Sequence, residues 1–171
     1  MINKDIHLIT QNTQSTVVTE FIPSQKRAEH YQSEDALEKE FIIQLQNQAY
    51  EYITIHKEDD LIANLRTQLE KLNKYQFSDT EWKYFFDTEI ANPGQSVSEK
   101  TTTIQEDYIK ILKCDSGMEK NIYLLNKANI HNNSLQVINQ YASDDGVRSN
   151  RYDVSILVNG LPLVHVELKR R

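Results

Sequence analysis

The dipeptide Asn159-Gly160 constrains this chain more than any other feature of it. It is flanked by Tyr152 to Val158, rich in β-branched and aromatic residues, and by Leu161 to Leu168, mostly apolar. Two such runs joined by Asn-Gly predict a β-hairpin, because these residues reach the positive φ of a tight hairpin turn at least cost. The second run lacks the alternation of a half-exposed strand, so burial on both faces is expected. At its end the character changes to Glu167-Leu168-Lys169.

Period-two alternation puts Glu167 and Lys169 on one face. Asp153 lies at the far end of the partner strand, so the hairpin brings it near Glu167. Carboxylates that close repel each other unless a cation sits between them. Mg²⁺ suits the pair: it takes oxygen ligands, keeps several waters, and is held by one or two carboxylates plus substrate phosphate. The carbonyl of Val166 or Leu168 could add another oxygen. The expectation is that Asp153 and Glu167 hold Mg²⁺. Lys169 would orient or deprotonate the attacking water, or stabilise charge at the phosphate. The chemistry implied is metal-assisted phosphodiester cleavage.

Register is the weak point of that reading. A simple two-residue turn pairs Val158 with Leu161, sets Asp153 opposite Val166, and turns Asp153 and Glu167 to opposite faces. Convergence requires an odd loop or a bulge, such as a type I turn with Gly160 at the left-handed bulge position, or a first strand that bends away at Asp153. A regular two-residue hairpin would count against a shared metal site. The rival reading is a non-catalytic docking module, in which each carboxylate pairs with its own Arg or Lys.

Asp, hairpin, then Glu-x-Lys resembles the active site of the PD-(D/E)xK nuclease superfamily. The longer wording is more specific. Asn150-Arg151-Tyr152-Asp153-Val154, Ile156-Leu157-Val158-Asn159-Gly160-Leu161-Pro162-Leu163-Val164 and Glu167-Leu168-Lys169-Arg170 are similar to the amino-terminal nuclease domain of the R subunit of type I restriction-modification enzymes. The similarity reaches back through Asn121-Ile122-Tyr123-Leu124, Leu37-Glu38-Lys39-Glu40 and Tyr31-Gln32-Ser33-Glu34. It covers most of the chain from about Tyr31, which suggests an arm over residues 1–30 and a nuclease-like domain over 31–171.

The resemblance implies an α/β (α+β) domain with a restriction-endonuclease-like core and Mg²⁺-dependent cleavage of double-stranded DNA. It also implies a larger subunit with an ATP-driven translocase motor after Arg171, where ATP would bind. The partners implied are methyltransferase (M) and specificity (S) subunits, in the cytoplasm and away from membranes. A glutamate of the first helix is a usual further member of such a site: Glu34 by position in the motif, Glu38 as second choice. Read without the resemblance, both are helix-border charges, with Glu34 complementing the helix dipole. Related domains continue into another helix, often with Gln-x-x-x-Tyr, and further strands. The chain is therefore expected to be truncated at its carboxy terminus and not to cut DNA alone.

The rest of the chain reads as a central mixed sheet flanked by helices. Residues 1–30 suggest a polar arm with one edge strand, Thr16 to Ile22, ended by Pro23. Ser33 is a good N-cap for a helix from Glu34 to about Gln48, with an apolar stripe of Leu37, Phe41 and Leu45. A strand follows from Tyr50 to Ile55, then a helix from Asp59 to about Lys74. Ser78-Asp79-Thr80-Glu81 is a capping box for a helix through about Ile90. The polar stretch from Ser96 leads into a strand near Tyr108 to Leu112. Strands are expected over Asn121 to Asn126 and Ser134 to Ile138, and a loop over Tyr141 to Asn150.

At 171 residues, 39% hydrophobic and 26% charged, the chain is globular and of one-domain size. Its net charge of −6 is not the footprint of an independent DNA-binding protein, so weak DNA binding is expected. The hairpin region is locally basic through Arg148, Arg151, Lys169, Arg170 and Arg171. Four glycines, none in a phosphate-loop pattern, exclude a P-loop ATPase. The five histidines show no metal-ligand spacing, and the single Cys114 reads as a structural thiol.

Overall fold

The computed structural model describes the backbone of residues 6–11, 17–21, 33–144 and 149–169, and the side chains of 33–141 and 152–169. The chain divides into two units, Met1–Ser33 and Glu34–Arg171. In the first, β1 (Ile6–Gln11) pairs antiparallel with β2 (Val17–Phe21), so the arm holds two strands where one was expected. Thr16, Ile22 and Pro23 lie outside the described residues.

The second unit is built on a mixed four-stranded sheet in the order β3-β6-β7-β8. Its strands are β3 (Glu51–Tyr52), β6 (Leu135–Asp144), β7 (Ser149–Val158) and β8 (Leu161–Val166). The β3–β6 pair is parallel and the other two pairs are antiparallel. Alternation sorts the central strands onto two faces. Val137 and Val154 pack with Ile42 and Leu45 of α1 (Glu34–Asn47). Ile138 and Leu157 pack on the other side, with Ile55 and with Leu61 of α2 (Glu58–Asn73). A helix therefore covers each face, the arrangement a sheet with two apolar faces requires.

The largest cluster lies at the turn end of the hairpin. Leu65 and Leu69 of α2 meet Phe77, Trp82, Phe85, Leu112, Ile122, Leu124 and Leu161 there. Helical spacing suggests a core role for the aromatic residues Trp82, Tyr84, Phe85 and Phe86; Trp82, Phe85 and Phe86 belong to this core, whereas Tyr84 is exposed. They sit on α3 (Asp79–Phe85) and the π-helical turn Phe86–Ile90 that closes the expected helix. The Ser78–Glu81 capping box forms as read. A second box, Ser96–Glu99, opens α4 (Val97–Gln105), a helix hidden in the stretch taken as polar lead-in. The antiparallel hairpin of β4 (Ile109–Lys113) and β5 (Glu119–Tyr123) completes the cluster.

Two expectations are corrected. The stretch 141–144 is not loop: β6 runs on through it, because its partner β7 begins at Ser149 rather than Tyr152. And β8 is not buried on both faces. It is the edge strand, and Pro162, Leu163, Val164 and His165 are exposed. An apolar run signals burial only when neighbours stand on both sides, and proline within it marks an edge.

Gly160 (φ 82°) packs so closely on α2 that a Cβ would meet the Leu65 Cα at 2.6 Å. Gly160→Ala is therefore expected to destabilise the domain by about 3 kcal/mol or more, through overpacking and left-handed strain, read as a fall in the urea midpoint. Glu81 gives a pH dependence. The Ser78 backbone N–H first, then the Asp115 N–H and the Tyr75 hydroxyl, hold its carboxyl below the usual range against the opposing effect of burial. A carboxyl depressed in the folded state stabilises above its unfolded pKa of about 4.3, and that stability is lost as pH falls through the lower folded value. Glu81→Gln should flatten the dependence of the urea midpoint on pH below about 4.5.

Candidate active site

The register problem is resolved inside β8. Asn159 (φ 51°) and Gly160 (φ 82°) form a two-residue turn pairing Val158 with Leu161. The pairs then run Leu157 with Pro162 but Ile156 with Val164, leaving Leu163 as an extra residue on β8. This is a β-bulge, placed in the second strand rather than at Gly160. Beyond it Val154 faces Val166, so the register continued by one step sets Asp153 opposite Glu167. The two-residue turn, which by itself would have separated the carboxylates, is offset by one bulged leucine.

Asp153 is half-buried, and its Oδ2 accepts the backbone N–H of Leu168 at 2.7 Å. The aspartate is thus fastened to the residue between Glu167 and Lys169. Those two side chains are exposed, and the Lys169 ammonium lies 3.5 Å from the Glu167 carboxylate. In water such a pair is worth little. Neither anticipated pattern is met in full: Glu167 pairs with the motif's own lysine, and Asp153 with a backbone amide. Among the described residues no three His, Cys, Asp or Glu side chains are gathered into a metal cage.

Of the two helix glutamates, Glu38 is the one turned to the sheet. It is only 9% exposed, whereas Glu34 stands exposed in the first turn of α1. The Asn139 amide donates to Glu38 Oε1 at 2.6 Å, and the Gln140 amide donates to Oε2. The Tyr52 hydroxyl donates to Asn139 Oδ1 at 2.8 Å, which fixes the orientation of that amide. Each Glu38 oxygen retains further acceptor capacity. On the outer strand, His165 stacks on Tyr152 at 4.0 Å between centroids and shares a 2.8 Å hydrogen bond with Ser155 Oγ. Partial desolvation of the imidazole lowers its pKa although much of the residue stays exposed, and packing with hydrogen bonding accounts for its position.

Comparison with known proteins bears on what this arrangement serves. The family described as type I restriction enzyme R protein N terminus matches residues 31–171. The chain belongs to that family. The endonuclease subunit of the type I restriction enzyme EcoprrI from Escherichia coli is 43% identical over 164 residues, 95% of this chain and 52% of that protein. The endonuclease subunit of SsaAORF53P from Staphylococcus saprophyticus is 38% identical over 146 residues, and that of SauCOLORF180P from Staphylococcus aureus strain COL is 40% identical over 148. The chain spans about half the length of the first relative and 15% of each staphylococcal one.

In this R-protein N terminus the residues that no motif announced are Asn139 and Gln140. Gln140 has φ 56°, in a strand, at the position opposite Asp153. The alternation breaks there. Asn139 reaches Glu38 on the α1 side, yet Tyr141 packs with Ile138 and Leu157 on the α2 side. Left-handed backbone in a non-glycine residue is costly and concentrates at functional sites. The Ser, Asp and Gly content downstream suggested only a loop. Glu38→Gln would set an amide NH₂ against one of two amide donors. It is expected to cost about 2 kcal/mol, measured by urea unfolding.

Proposed function

We propose that this chain supplies the endonuclease domain of a type I restriction enzyme R subunit, cleaving double-stranded DNA with Mg²⁺. In the whole subunit the cleavage would be coupled to ATP-driven translocation, in a cytoplasmic complex with methyltransferase and specificity subunits. The observation that carries the reading is the 2.7 Å hydrogen bond from the Leu168 N–H to Asp153 Oδ2. It joins the two halves of the Asp and Glu-x-Lys pattern in a chain whose relatives are named endonuclease subunits.

The donors available suit Mg²⁺. The ion needs no cage of protein ligands, only one or two carboxylates with waters and phosphate. Asp153 and Glu167 would hold it. When bound, Mg²⁺ supplies charge neutralisation at the phosphate and lowers the pKa of a water. The chain's own groups do the rest. Lys169, on a flexible stem beside Glu167, orients the attacking water, takes up its proton or stabilises charge at the scissile phosphate. Glu38, held by two amides, is better placed than Glu34 to assist as the helix carboxylate through an intervening water. No helix among the described residues is long and apolar enough to cross a membrane.

Asp153→Asn keeps an oxygen acceptor for the Leu168 N–H and removes the charge. Calorimetry with Mn²⁺ should detect binding by the wild-type chain and none by this variant, with the unfolding temperature retained. Equal binding by both would overturn the assignment of Asp153. In the assembled enzyme, Lys169→Ala is expected to slow DNA cleavage by about a hundredfold or more while leaving ATP hydrolysis intact.

A further inference from the structure

Four lysines from three separate elements meet in one groove at the turn end of the hairpin. Lys71 and Lys74 come from the carboxy-terminal end of α2, Lys120 from β5, and Lys127 from the loop that follows. The groove comprises two adjoining pockets of about 520 and 380 Å³, whose linings share Leu72, Lys74 and Asn126. Its lining contains no aspartate or glutamate. Among the described residues, none of the four ammonium groups lies within 4.0 Å of a carboxylate, a feature they share with Lys39, Lys57, Lys100 and Lys113. This cluster belongs to a chain of net charge −6.

Helix electrostatics account for part of it. Lys71 and Lys74 complement the carboxy-terminal end of the α2 dipole. That explanation does not extend to Lys120 and Lys127, which lie on a strand and a loop. Both lie over aromatic faces, Lys120 at 4.8 Å from the Tyr75 ring centre and Lys127 at 4.4 Å from that of Tyr108, and the Lys127 ammonium also donates to the Gln105 carbonyl. A cation–π contact positions an ammonium without cancelling its charge. The walls are tied together as well. Asn73 accepts the Tyr123 N–H at 2.7 Å and donates to the Tyr123 carbonyl at 3.0 Å, joining α2 to β5. Asn133 accepts the Asn126 N–H and donates to its carbonyl, bracing the loop. Like charges are thus assembled on a pre-formed surface with no internal counter-charge, against their mutual repulsion.

We propose that this groove binds the phosphodiester backbone of duplex nucleic acid. Lysine ammonium groups bind phosphates as point charges and do not read base edges, so the grip is independent of sequence. The surface is distinct from the candidate active site. Asn159 lines its second part and Asp153 lies six residues back along the chain in β7, about 20 Å away at strand rise. The inference rests on the proposed function only in taking DNA as the polymer.

The test is fluorescence anisotropy of a labelled duplex of about 30 base pairs in EDTA, at low ionic strength (about 0.02 M), where screening is weak. The Lys71, Lys74, Lys120 and Lys127 to Gln quadruple variant is compared with a charge-matched one, Lys39, Lys57, Lys83 and Lys113 to Gln. The groove variant should bind at least tenfold more weakly than the matched variant, with an unchanged unfolding temperature. Each phosphate contact adds about 0.9 to the slope of log K against log salt, so the slope should shrink by roughly three to four. Equal weakening by both variants overturns the proposal, as does a wild-type chain that does not bind the duplex. Polyglutamate binding to the groove in place of the duplex also overturns it and assigns the surface to an acidic protein. The groove variant, measured in parallel by calorimetry, should bind Mn²⁺ as wild type does. Loss of Mn²⁺ binding in Asp153→Asn decides the nuclease reading, so either proposal can fail without the other.

Discussion

The hairpin turn is buried, and the rest of the domain depends on that. Asn159 is 1% exposed, and its amide donates to the Leu124 carbonyl at 3.0 Å and to Asn133 Oδ1 at 2.8 Å. Its side-chain oxygen accepts the Ser134 N–H, and its own N–H is bonded to the Ser134 carbonyl. Gly160 lies against the backbone of Leu65. A turn that would ordinarily sit in water is instead the point where α2, the segment before β6 and the hairpin are locked together. With left-handed backbone at both residues, Asn-Gly serves the geometry and the packing at once. Because the turn cannot slide, the first pairs of the hairpin are fixed.

From that fixed end the sheet departs from regularity twice, and both departures set the direction of side chains in the candidate site. Leu163 bulges out of β8 and carries Glu167 into line with Asp153. Gln140 takes a left-handed conformation opposite Asp153 and sends its amide to Glu38. A regular sheet would have put the two carboxylates on opposite faces and kept Tyr141 on the side of Asn139. Irregular strands are the means by which a sheet re-aims individual side chains without giving up its core.

Among the described residues, one end of the hairpin holds Asp153 and the exposed Glu167–Lys169 pair, and the turn end adjoins a groove that gathers lysines from three elements with no acid in its lining. The acidic excess of the chain is therefore a sum that hides a divided surface, and electrostatic potential follows local arrangement rather than the total.

The hairpin, the amphipathic helices α1 and α2 and the Ser78 capping box were legible in the sequence. Each is encoded by residues close together in the chain: turn chemistry, apolar spacing and caps. The choice between Glu34 and Glu38 was not. One turn of helix separates them, and only the approach of β6 decides which meets Asn139 and Gln140. The bulge at Leu163 and the left-handed Gln140 carry no local signal, since neither residue type favours its conformation. The tertiary contacts impose them. Exposure of β8 was signalled only by Pro162, because an apolar run by itself does not state how many neighbours it has. The lysine groove draws on positions from 71 to 127, and only packing brings charges so far apart in sequence onto one surface.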